Sequence, residues 1–171
     1  MPRSFDMATD YPTSVAQVYR AFGDERYWQA RLKGSGADEA TLERLDVTDN
    51  GIDVVTVQVL ATHRLPGVVT QFHRGDLVIT REETWTPVSG THATAEVAGS
   101  ITGAPVSLTG VAELAPAAED ADAQTRLEFR GAVEVRVPLV GRKLENFIGN
   151  QLINLLIAEQ RFTTEWIAEN H

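Results

Sequence analysis

Between Gln124 and Ile167 an alternating run passes into a long apolar-striped run with only the Val137-Pro138-Leu139 corner between them, and no other stretch constrains the fold as strongly. Thr125, Leu127, Phe129, Gly131, Val133, Val135 and Val137 alternate with Gln124, Arg126, Glu128, Arg130, Glu134 and Arg136. That is the period of two of a strand with one covered face and one wet face. The cover is expected from the segment that follows. Val140, Leu144, Ile148, Leu152, Leu155, Phe162 and Trp166 recur at helical spacing, with Phe147 and Ile157 widening the stripe, so a long amphipathic helix folds back on the sheet.

At 171 residues, 43% hydrophobic and 23% charged, the chain reads as one soluble domain over 1–171 with enough apolar surface for a real core. No stretch reaches the run of apolar residues that a membrane span needs, and the N-terminus lacks a signal-peptide core, so membrane insertion is not expected and a cytoplasmic location is. The absence of cysteine excludes disulfides, thiolate metal sites and a cysteine nucleophile. A net charge of -9 argues against nucleic acid or an anionic membrane as partner, since phosphate binding needs clustered Lys and Arg.

Upstream, Phe5, Met7, Thr9 and Tyr11 alternate as a first strand, and Pro12 with Thr13 or Ser14 starts a helix carrying Val15, Val18, Tyr19 and Phe22. A second short helix around Tyr27, Trp28 and Leu32 ends at Gly34-Ser35-Gly36. Asp49-Asn50-Gly51 separates two alternating runs and predicts a hairpin, because Asn and Gly both tolerate positive φ. Arg64 to Arg74 breaks the period and is the candidate lid over an open end of the sheet. Alternating segments near Asp76–Thr86, His92–Thr102, Val106–Leu114 and Gln124–Val137 complete the order strand, two helices, six strands, helix. Short connections force an antiparallel meander, and seven twisted strands curl. The expected fold is α+β, a helix-grip in which a curved seven-stranded sheet wraps the C-terminal helix.

This order of elements, with Val137-Pro138-Leu139-Val140-Gly141 leading into the last helix, resembles the START and Bet v 1-like superfamily (SRPBCC), also called the polyketide cyclase and lipid-transport superfamily. Asp76 to Trp85 and Ala158 to Trp166 look like an actinobacterial branch of it, a domain of unknown function. The resemblance covers essentially the whole chain. It implies the helix-grip fold and a small hydrophobic ligand such as a lipid, fatty acid, polyketide or quinone; some members are cyclases or hydrolases. Plant members carry a glycine-rich loop between the second and third strands where this chain has the tight Asp49-Asn50-Gly51 turn, so their ligands do not carry over.

Extending the parity of the last strand, with Phe129, Gly131 and Val133 inward, to its neighbours gives a candidate cavity lining. It comprises Val57, Val59 and Ala61; Leu77, Ile79, Arg81 and Glu83; Ala95, Val97 and Gly99; Leu108, Gly110 and Ala112; with Phe147, Leu152 and Leu155 from the helix. Many of these are small, so either the helix settles closely on the sheet or a ligand occupies the room. In the second case Gly110→Leu or Ala95→Leu should block uptake without harming the fold. Gly149, in mid-helix among Asn146, Asn150, Gln151 and Asn154, marks a kink, a ligand passing close to the backbone, or a tolerated glycine on a wet face.

For chemistry, Arg81 and Glu83 are two apart on one inner face, where they either pair with each other or orient a ligand. His63 at a strand end beside the lid is the acid-base candidate. His63, His73, His92 and His171 are too scattered for a metal site, and the chain has no nucleophile elbow or phosphate loop. No cofactor is expected. Three readings stand: a binding protein for a small hydrophobic molecule; a cyclase or aromatase-type enzyme using Arg81 with His63 or Glu83; and an interaction module with a filled core, as monomer or homodimer.

Overall fold

The corner after the last strand is short because three contacts hold it closed. The computed structural model describes residues 2–65, 67–70, 74–117 and 124–170, the Val68 side chain excepted. In chain order the elements are β1 (Arg3–Tyr11), α1 (Val15–Phe22), α2 (Glu25–Lys33), β2 (Glu39–Thr48), β3 (Gly51–Leu60), a 3-10 turn (Thr62–Arg64), α3 (Gly67–Thr70), β4 (Leu77–Trp85), β5 (Ala93–Ile101), β6 (Val106–Pro116), β7 (Thr125–Val135) and α4 (Gly141–Asn170). At the corner Leu139 takes φ 71°, and the Gly141 amide donates to the Val137 carbonyl at 3.0 Å. A Cβ on Gly141 would lie 2.7 Å from the Val135 carbonyl oxygen. One turn into α4 the buried Glu145 carboxylate accepts the Val135 N–H at 2.9 Å, satisfying a strand-end donor that has no further strand to pair with.

The strands form a single sheet in the order β1-β7-β6-β5-β4-β3-β2, every pair antiparallel. The sheet curves around α4, which packs mainly on β7 and β1, so the architecture is the expected α+β helix-grip. Ser14 and Asp24 cap α1 and α2, accepting from the Gln17 and Arg26 amides. The two helices bury Phe22, Tyr27 and Trp28 beside Trp85, with the Phe22 and Trp85 rings 5.4 Å apart. The early aromatics thus close one end of the space between sheet and helix. The β2–β3 hairpin turns through Asp49-Asn50, and the positive φ, 121°, falls on Gly51 while Asn50 keeps a negative one.

On β4, β5, β6 and β7 the expected inner face is the observed one: Arg81 opposes Gly99, Glu83 opposes Val97, Gly110 opposes Gly131 and Ala112 opposes Phe129. On β3 the parity is out by one residue. Thr56, Gln58 and Leu60 oppose Arg81, Ile79 and Leu77, so Val57 and Val59 face the other side, and Ala61 lies past the strand's end. The cause is that the inner face carries charged groups at this point, so polar Thr56 and Gln58 belong inside and apolar patterning misleads.

Nor do the inward glycines leave open space. A Cβ on Gly110 would sit 2.7 Å from Phe129 Cζ and 2.8 Å from the Arg130 carbonyl, and one on Gly131 would sit 2.7 Å from Phe129 Cε1. The missing side chains seat the Phe129 ring. Gly149 likewise lies under Arg3, whose Nη1 donates to the Asn146 carbonyl at 2.6 Å, while Asn146, Asn150, Gln151 and Asn154 are exposed. Gly110→Leu therefore cannot be fold-neutral, and even Gly110→Ala should cost about 1–3 kcal/mol by overpacking. Urea unfolding measures this; wild-type stability in Gly110→Ala would mean that Phe129 is free to move.

Candidate functional site

Among the described residues, two of the spaces between sheet and helix are lined by the candidate residues. The larger, about 520 Å³, lies under the first half of α4, walled by Leu77 and Ile79 of β4, by Leu144, Phe147, Ile148, Leu152 and Leu155 of α4, and by Leu65 and Val69 from the segment after β3. Its lining is mostly apolar because β4 turns Leu77 and Ile79 inward at period two while α4 turns the other residues inward at period three to four. The smaller, about 70 Å³, lies deeper, bounded by Tyr11, Arg81, Glu83, Trp85, Phe129 and Glu159 among others. Leu152 borders both.

A buried ionic cluster borders the smaller space. Glu159 on α4 meets Arg31 of α2 at 2.6 Å through Oε1 and Arg81 of β4 at 2.7 Å through Oε2, with all three side chains 11–13% exposed. Arg31 also stacks 4.6 Å from the Trp28 ring centroid. Its Nη1 donates to the Tyr27 hydroxyl at 3.2 Å. Thr163 gives its own proton to the Glu159 carbonyl, so the Tyr27 hydroxyl donates onward to Thr163 Oγ1 at 2.6 Å. Burial alone would raise the Glu159 carboxyl, but Arg31 and Arg81 pull it down to about 2. Burial pushes the Tyr11 hydroxyl well above its ordinary value, with Tyr27 adding to the effect.

Glu83 stands apart from this order. Among the described residues its one ion-pair contact is Arg81 Nε at 4.0 Å, beyond hydrogen-bond reach. Trp85, 2% exposed, has an indole N–H without a hydrogen-bond partner among the described residues. Both line the smaller space.

The family model described as "Protein of unknown function (DUF2505)" matches residues 6–167. The chain belongs to this family. Uncharacterized protein Rv0481c of Mycobacterium tuberculosis is 51% identical over 175 residues, covering 99% of each chain. Among solved structures, the Zhui aromatase/cyclase from Streptomyces sp. R1128 superposes with a TM-score of 0.62 at 8% identity, covering 98% of this chain and 94% of that one. A START superfamily protein from Mycobacterium smegmatis superposes with a TM-score of 0.57 at 10% identity, covering 96% and 98%. At such identities the likeness is one of fold, and the fold is START-like.

In this DUF2505 chain the sequence-derived candidates divide by location. Leu77, Ile79, Phe147, Leu152 and Leu155 line the larger space. Arg81, Glu83, Val97, Leu108, Ala112 and Phe129 line the smaller one. Ala95, Gly99, Gly110, Gly131 and Val133 lie in the sheet and border neither, nor do Val57, Val59 and Ala61. His63 is exposed on the 3-10 turn, away from both spaces, because the chain leaves the strand at Ala61. Of the candidate lid, Leu65 and Val69 reach the larger space; Phe72 is outside the described residues. No group of three or more His, Asp or Glu able to hold a metal occurs among the described residues, and none of their helices is long and apolar enough to cross a membrane.

Arg31, Glu159 and Tyr11 were missed as site residues, though two carry a legible signal. Glu159 falls four residues after Leu155 and three before Phe162, a charge inside an apolar stripe, and Arg31 follows Tyr27 and Trp28 at helical spacing. A charge on a buried face needs a partner. Glu159→Gln should cost about 3–5 kcal/mol at neutral pH by stranding two guanidinium groups. Because the folded value lies below the ordinary one, the carboxylate's contribution is complete above about pH 5 and disappears toward pH 2. Unfolding curves of wild type and variant should therefore converge across that acid range; a pH-independent gap would refute the ion-pair account.

Proposed function

We propose that this protein binds and carries or sequesters a small hydrophobic molecule, such as a lipid, fatty acid, polyketide or quinone, between the curved sheet and α4. The observation that carries the reading is the space of about 520 Å³ with its mainly apolar wall, within the range of about 300–1,000 Å³ typical of small-molecule sites. An apolar space of this size between sheet and helix favours an occupant over a filled-core interaction module. The START-like fold supports the same reading, since a START superfamily protein is among the matched structures. Leu65 and Val69, which border the space from the segment after β3, are the natural point of access.

A second reading, catalysis in the same interior, has one observation in its favour: the Glu83 carboxylate faces the smaller space without a hydrogen bond among the described residues, as a general base requires. Arg81 is engaged at 2.7 Å by Glu159 through Nη2, and its Nε–H, without a hydrogen-bond partner among the described residues, is the donor that would stabilise developing negative charge. In this reading the proton is moved by Glu83, since His63 lies outside the interior.

Native mass spectrometry of the protein purified from its own host tests the first reading, with denaturing extraction of whatever leaves with it. A reproducible added mass that disappears on denaturation is expected. Leu155→Trp, which places an indole in the larger space, should lose that mass while retaining the far-ultraviolet circular dichroism of the wild type. Retention of the same mass in a folded Leu155→Trp would remove this space as the binding site.

A further inference from the structure

The smaller space is lined by side chains whose hydrogen-bonding capacity is unequally used. Glu159 pairs with Arg31 at 2.6 Å and with Arg81 Nη2 at 2.7 Å, whereas Trp85 Nε1–H, like Arg81 Nε–H and Glu159 Oε1, has no hydrogen-bond partner among the described residues, and Glu83 reaches no closer than 4.0 Å to Arg81. An unmade hydrogen bond on a fully buried donor is expensive, so the group it awaits matters. Glu83 and Trp85 are two residues apart on one face of β4, which places their backbone origins about 6.5–7 Å apart. Both side chains border the smaller space.

Resting on the reading of the interior as a ligand site, we propose that the bound molecule is an apolar chain ending in a neutral hydroxyl group, which accepts from Trp85 Nε1–H and donates to the Glu83 carboxylate. Donor and acceptor logic selects this end group. A carbonyl or ester oxygen could accept from Trp85 but would set a lone pair against Glu83. An amine could donate to Glu83 but would leave the indole N–H unpaired. A carboxylate fails on charge: the wall holds two guanidinium groups, Arg31 and Arg81, against two carboxylates, Glu83 and Glu159, so no cation is left over. A new anion there would be desolvated beside Glu83. Size agrees, since about 70 Å³ admits a hydroxyl with a few carbons and not a ring system. The tail would pass Leu152, which borders both spaces, into the apolar one.

The test is competitive displacement of Nile red at pH 7 by 1-decanol, decanoic acid and methyl decanoate, three molecules with one chain and different ends. The alcohol should bind at least tenfold more tightly than either of the others. Glu83→Gln, close to isosteric, and Trp85→Phe, which removes the N–H together with part of the ring, should each reduce the affinity for decanol at least tenfold and so erase the preference. Val111→Ser, an exposed change on the outer face, should retain it. The wild-type ranking stands even if a variant fails to fold. Decanoic acid or its ester equalling the alcohol overturns the hydroxyl assignment while leaving the cavity reading intact. Failure of all three to displace the dye overturns both.

Discussion

The Arg31–Glu159–Arg81 ion pairs are the constraint on which the interior depends, because they join three elements that no backbone hydrogen bond connects. Arg31 comes from α2, Glu159 from α4 and Arg81 from the middle of β4. In a low-dielectric interior the pairing is all or nothing: with every partner present the charges cancel, and with one missing the remainder is stranded. The cluster thus sets where α4 lies over the sheet and where α2 closes the end. Such a device yields positional specificity more than stability, since apolar residues of equal volume would hold the elements together at least as well.

The interior also divides by chemistry. On the side toward the start of α4, residues from β4, α4 and the segment after β3 leave apolar volume unfilled. On the far side, aromatic rings from α1, α2 and β4 pack tightly around the polar groups. Close packing is therefore uneven: Phe129 occupies the hollow over Gly110 and Gly131, and Arg3 that over Gly149, while the volume beneath Phe147 and Leu155 is left open. Small residues in this protein accommodate particular neighbours, and the open volume arises where large aliphatic side chains splay.

Most of the fold could be read from periodicity, since period two and period three to four are separate signals and the turns carry Gly, Pro and Asn at the right places. The inner faces of β4 to β7 followed from one parity argument because those strands pair in uninterrupted register. The argument failed on β3 for a physical reason: Thr56 is buried beside the charged cluster, and hydrophobicity is a poor guide where the buried face is partly ionic. The site was legible only in part. Arg81 and Glu83 were visible as charges in phase with an apolar face, but the partner of Arg81 comes from a helix far away in sequence, and the identity of a long-range ion pair cannot be read from spacing. His63 illustrates the converse error, a residue with suitable chemistry at a strand end that the next turn carries away from the interior.

The bond from Arg3 to the Asn146 carbonyl bears on how the molecule breathes. It lashes the first strand across the helix at the one position, Gly149, where the absent side chain lets a guanidinium lie against the backbone. With Glu145 fastened to the end of β7 a turn earlier, the leading half of α4 is moored to two neighbouring strands. A moored helix does not swing as a door. Of the elements that border the larger space, the segment carrying Leu65 and Val69 has no such mooring to β1 or β7 among the described residues.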